Sequence, residues 1–289
     1  MNTTLDPYLV SPAEANPGLD LHVDAYLARI GVERGESADL RLLESIVAGH
    51  ARSIAFENLD SFVGRDVSVD DDALVAKLVH GRRGGFCFEQ NMLLRGALDS
   101  LGYRTTALTG RVVWGRDEDQ PLAPRTHMLV RVDLDEESYL VDVGFGGQSI
   151  TGVLALRSGE EQKTPHEPFR ILPVDTGGFL MQSLIGADWR SLYRFELEPQ
   201  HRSDLEMGTW YVSRHPDSLF VNNLMAARAD TDSRHTLRGV EAAVHRFGGP
   251  STRRELDSAS EVMATLEDVF LLDVGGLPDL ERKIKATFF

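Results

Sequence analysis

The spacing of apolar residues changes near Tyr103, and this change constrains the fold of the 289-residue chain more than any other feature. Before Tyr103, apolar side chains recur every three or four positions, which predicts amphipathic helices. From there to Phe195 they alternate with polar ones, which predicts strands with one buried face. The helical pattern covers residues 19–30, 40–47, 73–80 and 91–101, and the alternating pattern covers residues 105–114, 127–134, 139–145, 169–173, 179–184 and 189–195.

The predicted strands are separated by short turns such as residues 175–178, so we expect antiparallel pairing. A set of this size packs as a barrel or a sandwich. After residue 200 the pattern is mixed, with a predicted helix over 204–214, a strand over 219–221 and a helix that starts at the capping-box sequence Ser258-Ala259-Ser260-Glu261. The fold class is therefore α+β, with more than one domain.

The chain carries 30 Lys and Arg residues against 45 Asp and Glu residues, a formal net charge of −15. An acidic protein repels polyanions, which argues against nucleic acid as a partner. No apolar run approaches the roughly 20 residues of a membrane span, and the polar segment 1–16 is not typical of a signal peptide. These features predict a soluble cytoplasmic protein with a free thiol.

Cys87 is the only cysteine of the chain. A lone thiol forms no internal disulfide, so any chemistry it has is redox or nucleophilic. Cys87 follows Gly84 and Gly85 and precedes a helical run, so we expect it to open a helix, where unpaired amides and the helix dipole stabilise a thiolate. The alternative is a buried cysteine that packs as a small apolar side chain.

A histidine and an aspartate lie downstream, in two strands that are predicted to pair. His127 begins one strand, and Asp142 lies in the next, between Val141 and Val143. Aspartate is depleted in strands and costly to bury without a partner. If the strands form a hairpin across residues 135–137, His127 and Asp142 approach each other at its open end. The carboxylate would then orient the imidazole, and the other ring nitrogen would face a thiol.

Several separated motifs together resemble the arylamine N-acetyltransferases. The resemblance extends from about residue 19 to the C-terminus. A small departure is Ala55, where family members commonly carry proline. The motifs are Ile54-Ala55-Phe56-Glu57-Asn58-Leu59, Arg83-Gly84-Gly85-Phe86-Cys87-Phe88-Glu89, Thr126-His127-Met128 and Val141-Asp142-Val143-Gly144-Phe145-Gly146.

The resemblance implies a fold in three parts: a helical bundle over residues 1–102, an antiparallel β-barrel over 103–200 and an α/β lid over 201–289. A cysteine-protease-like triad of Cys87, His127 and Asp142 would lie between the first two parts. Acetyl-CoA would be the acyl donor and an arylamine or arylhydrazine the acceptor, with a ping-pong reaction through an acetyl-cysteine and no metal ion. The implied role is in xenobiotic metabolism, by a monomer or homodimer without nucleic-acid or membrane partners.

The resemblance also places five residues along the acyl-donor cleft: Trp114, Thr126, Phe145, Gly146 and Phe220. From the residues alone, Trp114 and Phe220 could equally be core aromatics. The loop 144–147 could bring backbone amides to a phosphate or simply form a tight turn. Arg82 or Arg83 is expected to pair with Glu57 or Glu89 beside the nucleophile.

Three alternative functions remain open at this point. The triad would also serve an amide synthase that closes a macrolactam from an acyl thioester and an aryl amine. It would equally serve a Cys-His-Asp hydrolase. The third alternative is a binding protein on a decayed enzyme scaffold, in which Cys87 would be unreactive.

Overall fold

The computed structural model describes residues 22–117, 120–175 and 177–289, so the expectations for residues 1–21 lie outside it. The helical pattern of the first third is confirmed. The helices before the first barrel strand are α1 (Val23–Ile30), α2 (Leu40–Ser53), α3 (Leu59–Val63), α4 (Asp71–Leu74) and α5 (Cys87–Ser100).

Two helix predictions need correction. Helix α2 continues through Gly49, which the pattern treats as a stop. Glycine is needed there for packing, because a Cβ atom on it would lie 2.8 Å from Ile30 O and 2.9 Å from Val32 Cγ2. The helix predicted over residues 73–80 is α-helical only as far as Leu74, and Val75–His80 forms a π-helix.

The central sheet is antiparallel and has seven strands in the order β5-β4-β3-β2-β8-β7-β6. The pairing of β3 with β4 forms the predicted hairpin, with Leu134 opposite Glu137 at the turn. Beyond β5, Ser158 and Gln162 bridge to β6, which brings the two edges together into a nearly closed barrel. The strands are β2 (Arg104–Val112), β3 (Arg125–Leu134), β4 (Glu137–Val141), β5 (Leu154–Ala155), β6 (Phe169–Pro173), β7 (Phe179–Ile185) and β8 (Asp188–Phe195).

Strand β3 belongs to two cores because alternate side chains of a strand point to opposite faces. Met128 and Val130 pack against the helices, in a core that includes Cys87. Leu129 points into the barrel, whose core includes Tyr193. The start of β3 is therefore held between the helical part and the barrel.

The last third contributes four strands to a five-stranded antiparallel sheet that the sequence pattern did not predict, whereas the helices expected over 204–214 and after Ser258 are confirmed. Its edge strand is β1 (Phe56–Glu57), from the helical part, which pairs with β9 (Met225–Ala229). The remaining elements are β10 (Ser233–Arg238), β11 (Glu241–Arg246), β12 (Thr252–Glu255), α6 (Arg202–Arg214), α7 (Leu219–Asn222), α8 (Ala259–Asp268) and α9 (Leu280–Phe288).

The strand predicted over residues 219–221 is wrong, because these residues form the short helix α7. Ser218 caps it, since the Ser218 hydroxyl accepts a hydrogen bond from Phe220 N. Three apolar residues in a row fit a buried strand or a helical turn equally well, so the cap decides between them.

Candidate active site

Cys87 opens helix α5, as predicted, and lies where the helices meet the barrel. Gly84 and Gly85 permit this approach, because a Cβ atom on Gly84 would lie 1.9 Å from Ala55 O and one on Gly85 2.7 Å from Glu89 Cβ. Cys87 is 3% exposed, and its Sγ lies 3.5 Å from Thr126 O. The thiol is therefore enclosed by α5 and the start of β3.

His127 and Asp142 are buried and hydrogen-bonded to each other, with 2.7 Å between His127 Nε2 and Asp142 Oδ2. One expectation needs correction: β4 ends at Val141, so Asp142 lies just beyond the strand rather than inside it. Because Asp142 lies outside the strand, the chain can turn at this residue, and Gly144 N donates a hydrogen bond of 3.0 Å to Asp142 Oδ1.

The histidine and the aspartate stabilise each other's charge. Burial alone lowers the pKa of His127, but the Asp142 carboxylate and a hydrogen bond with Cys87 raise it to about 10. Burial alone raises the pKa of Asp142, yet the imidazolium and hydrogen bonds from His127, Asn91 and Gly144 hold it below its usual value. At neutral pH the site therefore contains an imidazolium between a carboxylate and the Cys87 side chain.

Asn91 belongs to the site, although the sequence analysis did not single it out. It lies one turn after Cys87 on α5, and its Nδ2 donates to Asp142 Oδ1 at 3.0 Å and to Met128 O at 2.7 Å. Its Oδ1 accepts from Val143 N at 3.1 Å. The signal that would have found it is its position four residues after the nucleophile, on the same helix face.

Two aromatic rings enclose the imidazole. The ring centroid of Tyr193 lies 4.6 Å from that of His127, and the Phe145 ring meets it edge-on at 5.0 Å. Burial and the nearby Asp142 charge raise the pKa of Tyr193 well above its usual value, so its phenol stays neutral. These two rings fix the orientation of the imidazole plane and exclude water from the part of the imidazole that they cover.

Gly144 lies directly against the start of α5. A Cβ atom there would lie 2.6 Å from Cys87 Cα and 2.8 Å from Asn91 Nδ2, closer than real Cβ atoms approach. Gly144→Ala is therefore expected to push the loop that follows Asp142 away from Cys87, with a lower melting temperature and an activity loss of about 100-fold, the usual cost of a misplacement near 1 Å.

Gly276→Ala is the matched control for that variant, because a Cβ atom at Gly276 would meet nothing within 4 Å. It should leave both the melting temperature and the rate close to those of the unmodified protein. Full activity of Gly144→Ala would show that the loop's contact with Cys87 is dispensable.

A buried cluster of charged side chains supports the first turn of α5 from behind. Arg83 pairs with Glu57 at 2.7 Å, so Arg83 rather than the exposed Arg82 forms the expected ion pair. Lys77 Nζ lies 2.6 Å from Glu89 Oε1, and Glu89 Oε2 accepts from Phe86 N at 3.1 Å. The members of this cluster are Glu57, Asp60, Lys77, Arg83 and Glu89.

A hydrogen-bond chain from α1 and α2 holds the glycines that precede Cys87. Tyr26 Oη lies 2.8 Å from His50 Nδ1, and His50 Nε2 lies 2.5 Å from Gln90 Oε1. Burial lowers the pKa of His50 to about 4, so the ring is neutral and accepts from the tyrosine while it donates to the glutamine. Gln90 Nε2 then donates to Ala55 O at 2.7 Å and to Gly85 O at 3.2 Å.

The residues predicted for the donor cleft do not all lie together. Thr126 and Phe145 adjoin Cys87 and His127, as described above. Phe220 lies with its ring centroid 5.7 Å from that of Phe56, and a Cβ atom on Gly146 would lie 3.7 Å from the same ring. Trp114 is 45% exposed in the turn after β2, so the interpretation as a core aromatic is wrong for it.

Across the ranges 22–117, 120–175 and 177–289, no group of three or more His, Cys, Asp or Glu side chains is placed to hold a metal ion. In the same ranges, no helix has the length and apolar content needed to cross a membrane.

Comparison with known proteins identifies the family. The family model described as N-acetyltransferase matches residues 39–278. An arylamine N-acetyltransferase of Mycolicibacterium smegmatis is 44% identical over 260 residues, which are 89% of this chain and 94% of the relative. The corresponding Escherichia coli protein is 35% identical and covers 86% of this chain and 88% of its own length.

A solved structure gives the same result. The Mycobacterium marinum arylamine N-acetyltransferase, in complex with CoA, superimposes with a TM-score of 0.89 at 39% identity and covers 92% of this chain and 100% of its own. This chain and the M. marinum protein therefore share one α+β fold. The chain belongs to the arylamine N-acetyltransferase family and is an acetyltransferase enzyme.

Proposed function

We propose that the chain moves an acetyl group from acetyl-CoA to an arylamine or arylhydrazine in two half-reactions, through an acetylated Cys87. The observation that supports this most is the buried contact of His127 with both Cys87 and Asp142, which raises the pKa of His127 to about 10. An imidazolium beside a thiol favours the thiolate, which is the nucleophilic form of cysteine. Cys87, His127 and Asp142 are thus the proposed catalytic residues.

In the first half-reaction the Cys87 thiolate attacks the thioester carbonyl. The C–S bond to CoA breaks, a C–S bond to Cys87 forms, and His127 donates its Nδ1 proton to the departing thiolate. The backbone N–H of Cys87, at the first turn of α5, is the proposed donor to the oxyanion that forms on the carbonyl oxygen.

In the second half-reaction the amine nitrogen attacks the acetyl-cysteine. The now neutral His127 accepts a proton from that nitrogen as the C–S bond breaks, which restores the thiolate and the imidazolium. An aromatic amine is neutral at pH 7, so positioning and this single proton transfer suffice. Asp142 remains ionised throughout and orients the ring.

CoA as the donor is supported by the M. marinum relative, which was solved in complex with CoA. In this chain Thr126 and Phe145 adjoin the thiol, and we assign them to the end of the cleft that holds the thioester. Gly146, Phe220 and the exposed Trp114 are assigned to the remaining length of the donor.

The test is a panel of acyl-CoA donors against aromatic amines and hydrazines, followed by release of the CoA thiol. Thiol release that depends on the aromatic acceptor supports the proposal. Release at the same rate without an acceptor would favour a hydrolase. Acylation only by carrier-bound thioesters, with ring closure, would favour an amide synthase.

The protonation of His127 leads to a prediction about Cys87. Because the pKa of His127 is raised to about 10, the imidazolium is retained across the neutral range, and a positive charge beside a thiol favours the nucleophilic thiolate. The rate of alkylation by iodoacetamide should therefore stay level from about pH 6 to pH 9, whereas an ordinary thiol gains reactivity towards about pH 8.5.

In His127→Asn, which lacks the imidazolium, the alkylation rate should fall at pH 6 and rise with pH, with the modified cysteine identified by mass spectrometry. A rate that climbs in the same way in the unmodified protein would contradict the ion pair.

A further inference from the structure

Three arginines lie side by side across neighbouring strands of the barrel. Arg111 of β2 is opposite Arg194 of β8 on one side and, just after a register shift that skips Thr126, opposite Arg125 of β3 on the other. Residues directly opposite each other in an antiparallel pair lie on the same face of the sheet, where like charges destabilise the pairing. A row of three positive charges in a protein of net charge −15 therefore needs an explanation.

Among the residues that the structure describes, carboxylates pair with only one of these arginines. Arg125 pairs with Glu196 at 2.6 Å and with Glu198 at 3.3 Å. Arg111 Nη1 donates to the carbonyl oxygen of Ala123 at 2.7 Å, which supplies no charge. Arg194 forms no ion pair with any residue that the structure describes.

Two buried donors beside this row have no hydrogen-bond partner among the residues that the structure describes. They are Arg194 Nε and the hydroxyl of Thr109, two residues before Arg111 on the same face of β2. Burying a polar group without a partner is unfavourable, so native proteins rarely leave two of them together. Both donors line one cavity of about 190 Å³, together with Arg111 and Arg125.

The cavity's size and chemistry indicate what it holds. Cavities that enclose whole small-molecule ligands usually measure about 300–1,000 Å³, so a cavity of about 190 Å³ suits a single chemical group. The polar side chains that line it are three arginines, one threonine and the Glu196 carboxylate, whose charge is paired with Arg125. Two guanidinium groups, those of Arg111 and Arg194, are left to face an oxyanion, and arginine binds phosphate with paired hydrogen bonds.

We propose that this arginine cavity, lined by Thr109, Arg111, Arg125 and Arg194, binds a phosphate group. The phosphate belongs either to the acyl donor CoA or to free phosphate. CoA as the source rests on the proposed function. The strand register agrees with it, because Gly110, the neighbour of Arg111 in β2, is opposite His127, so the cavity lies next to the proposed active site. Arg194 is the principal ligand, because no carboxylate in the described part of the chain pairs with it and its buried Nε finds no acceptor there.

Calorimetric titration of the whole protein tests this without any turnover. The probes are inorganic phosphate, CoA, and pantetheine, which lacks phosphate. The variants are Arg194→Ala and, as the matched control on the same strand, Arg190→Ala, whose exposed side chain pairs with Asp188 at 3.1 Å outside the cavity. Arg194→Ala should weaken phosphate binding at least about tenfold, since hydrogen bonds to charged groups are worth about 1.5–3 kcal/mol. Arg190→Ala should change nothing.

The probes distinguish the two sources. If the phosphate is that of CoA, Arg194→Ala weakens CoA binding by a similar factor, pantetheine binding does not change, and inorganic phosphate competes with CoA. If it is free phosphate, only the affinity for inorganic phosphate falls. Thr109→Val removes the second donor with little change of shape, so it repeats the test should Arg194→Ala not fold.

Unchanged affinities for both phosphate and CoA in the two cavity variants would overturn the proposal. A wild-type protein that binds phosphate but transfers no acetyl group would instead contradict the proposed function alone.

Discussion

Cys87→Ser is expected to abolish acetyl transfer, because a serine hydroxyl beside His127 remains protonated and cannot replace a thiolate as nucleophile. The loss should reach the limit of detection for every donor and amine in the panel. Serine is close to cysteine in size, so the buried position should tolerate it and the melting temperature should stay near that of the unmodified protein.

Circular dichroism and thermal unfolding provide the control for Cys87→Ser, and they separate lost chemistry from lost structure. Substantial transfer by a folded Cys87→Ser variant would remove Cys87 from the reaction. It would also revive the interpretation of this residue as a small core side chain.

Asp142→Asn is expected to lower kcat by about 10⁴-fold, the cost of this change in a comparable triad. The carboxamide keeps the shape of the side chain but removes the charge that holds His127 protonated. It also offers an NH₂ group where Asp142 Oδ1 now accepts from both Asn91 and Gly144. Steady-state kinetics with one amine and acetyl-CoA measures the effect.

Asp133→Asn is the matched control, because Asp133 lies on the same hairpin but bonds to Ser138 and Arg131 near its turn. That variant should retain nearly full turnover. A folded Asp142→Asn variant with comparable turnover would exclude Asp142 from the mechanism.

The site was predictable from sequence where a residue's chemistry conflicted with its surroundings. Asp142 stood out because an acid next to Val141 and Val143 needs a partner, and the structure supplies that partner as His127. Cys87 stood out because two glycines and an amphipathic run place it at a helix start, and α5 begins there. The exact end of β4 did not follow, because the turn to Gly144 depends on a hydrogen bond to the aspartate itself.

The features that could not be predicted from the sequence depend on long-range contacts. Asn91 is one polar residue in an apolar helix, and its role appears only when α5 lies against Met128 and Val143. Gly49 ends no helix, because its lack of a side chain serves packing against Ile30. The five-stranded sheet draws its edge strand from Phe56–Glu57, two residues that no periodicity could identify.

The arginine cavity also depends on long-range contacts, so it could not be predicted from the sequence. Arg111, Arg125 and Arg194 are far apart in the chain, and each is unremarkable alone. Only the register of β2 with its two neighbours places them in one row. The two domain boundaries at residues 102 and 200 remain predictions.

Intact-mass measurement can detect the proposed acetyl-cysteine itself. The protein is incubated with acetyl-CoA alone, and its mass is then determined before and after addition of an arylamine. We expect one added acetyl group on the peptide that contains Cys87. The amine should remove it faster than water does, because the enclosed site favours a positioned nucleophile. An unchanged mass, together with intersecting double-reciprocal plots, would contradict it and indicate direct transfer in a ternary complex.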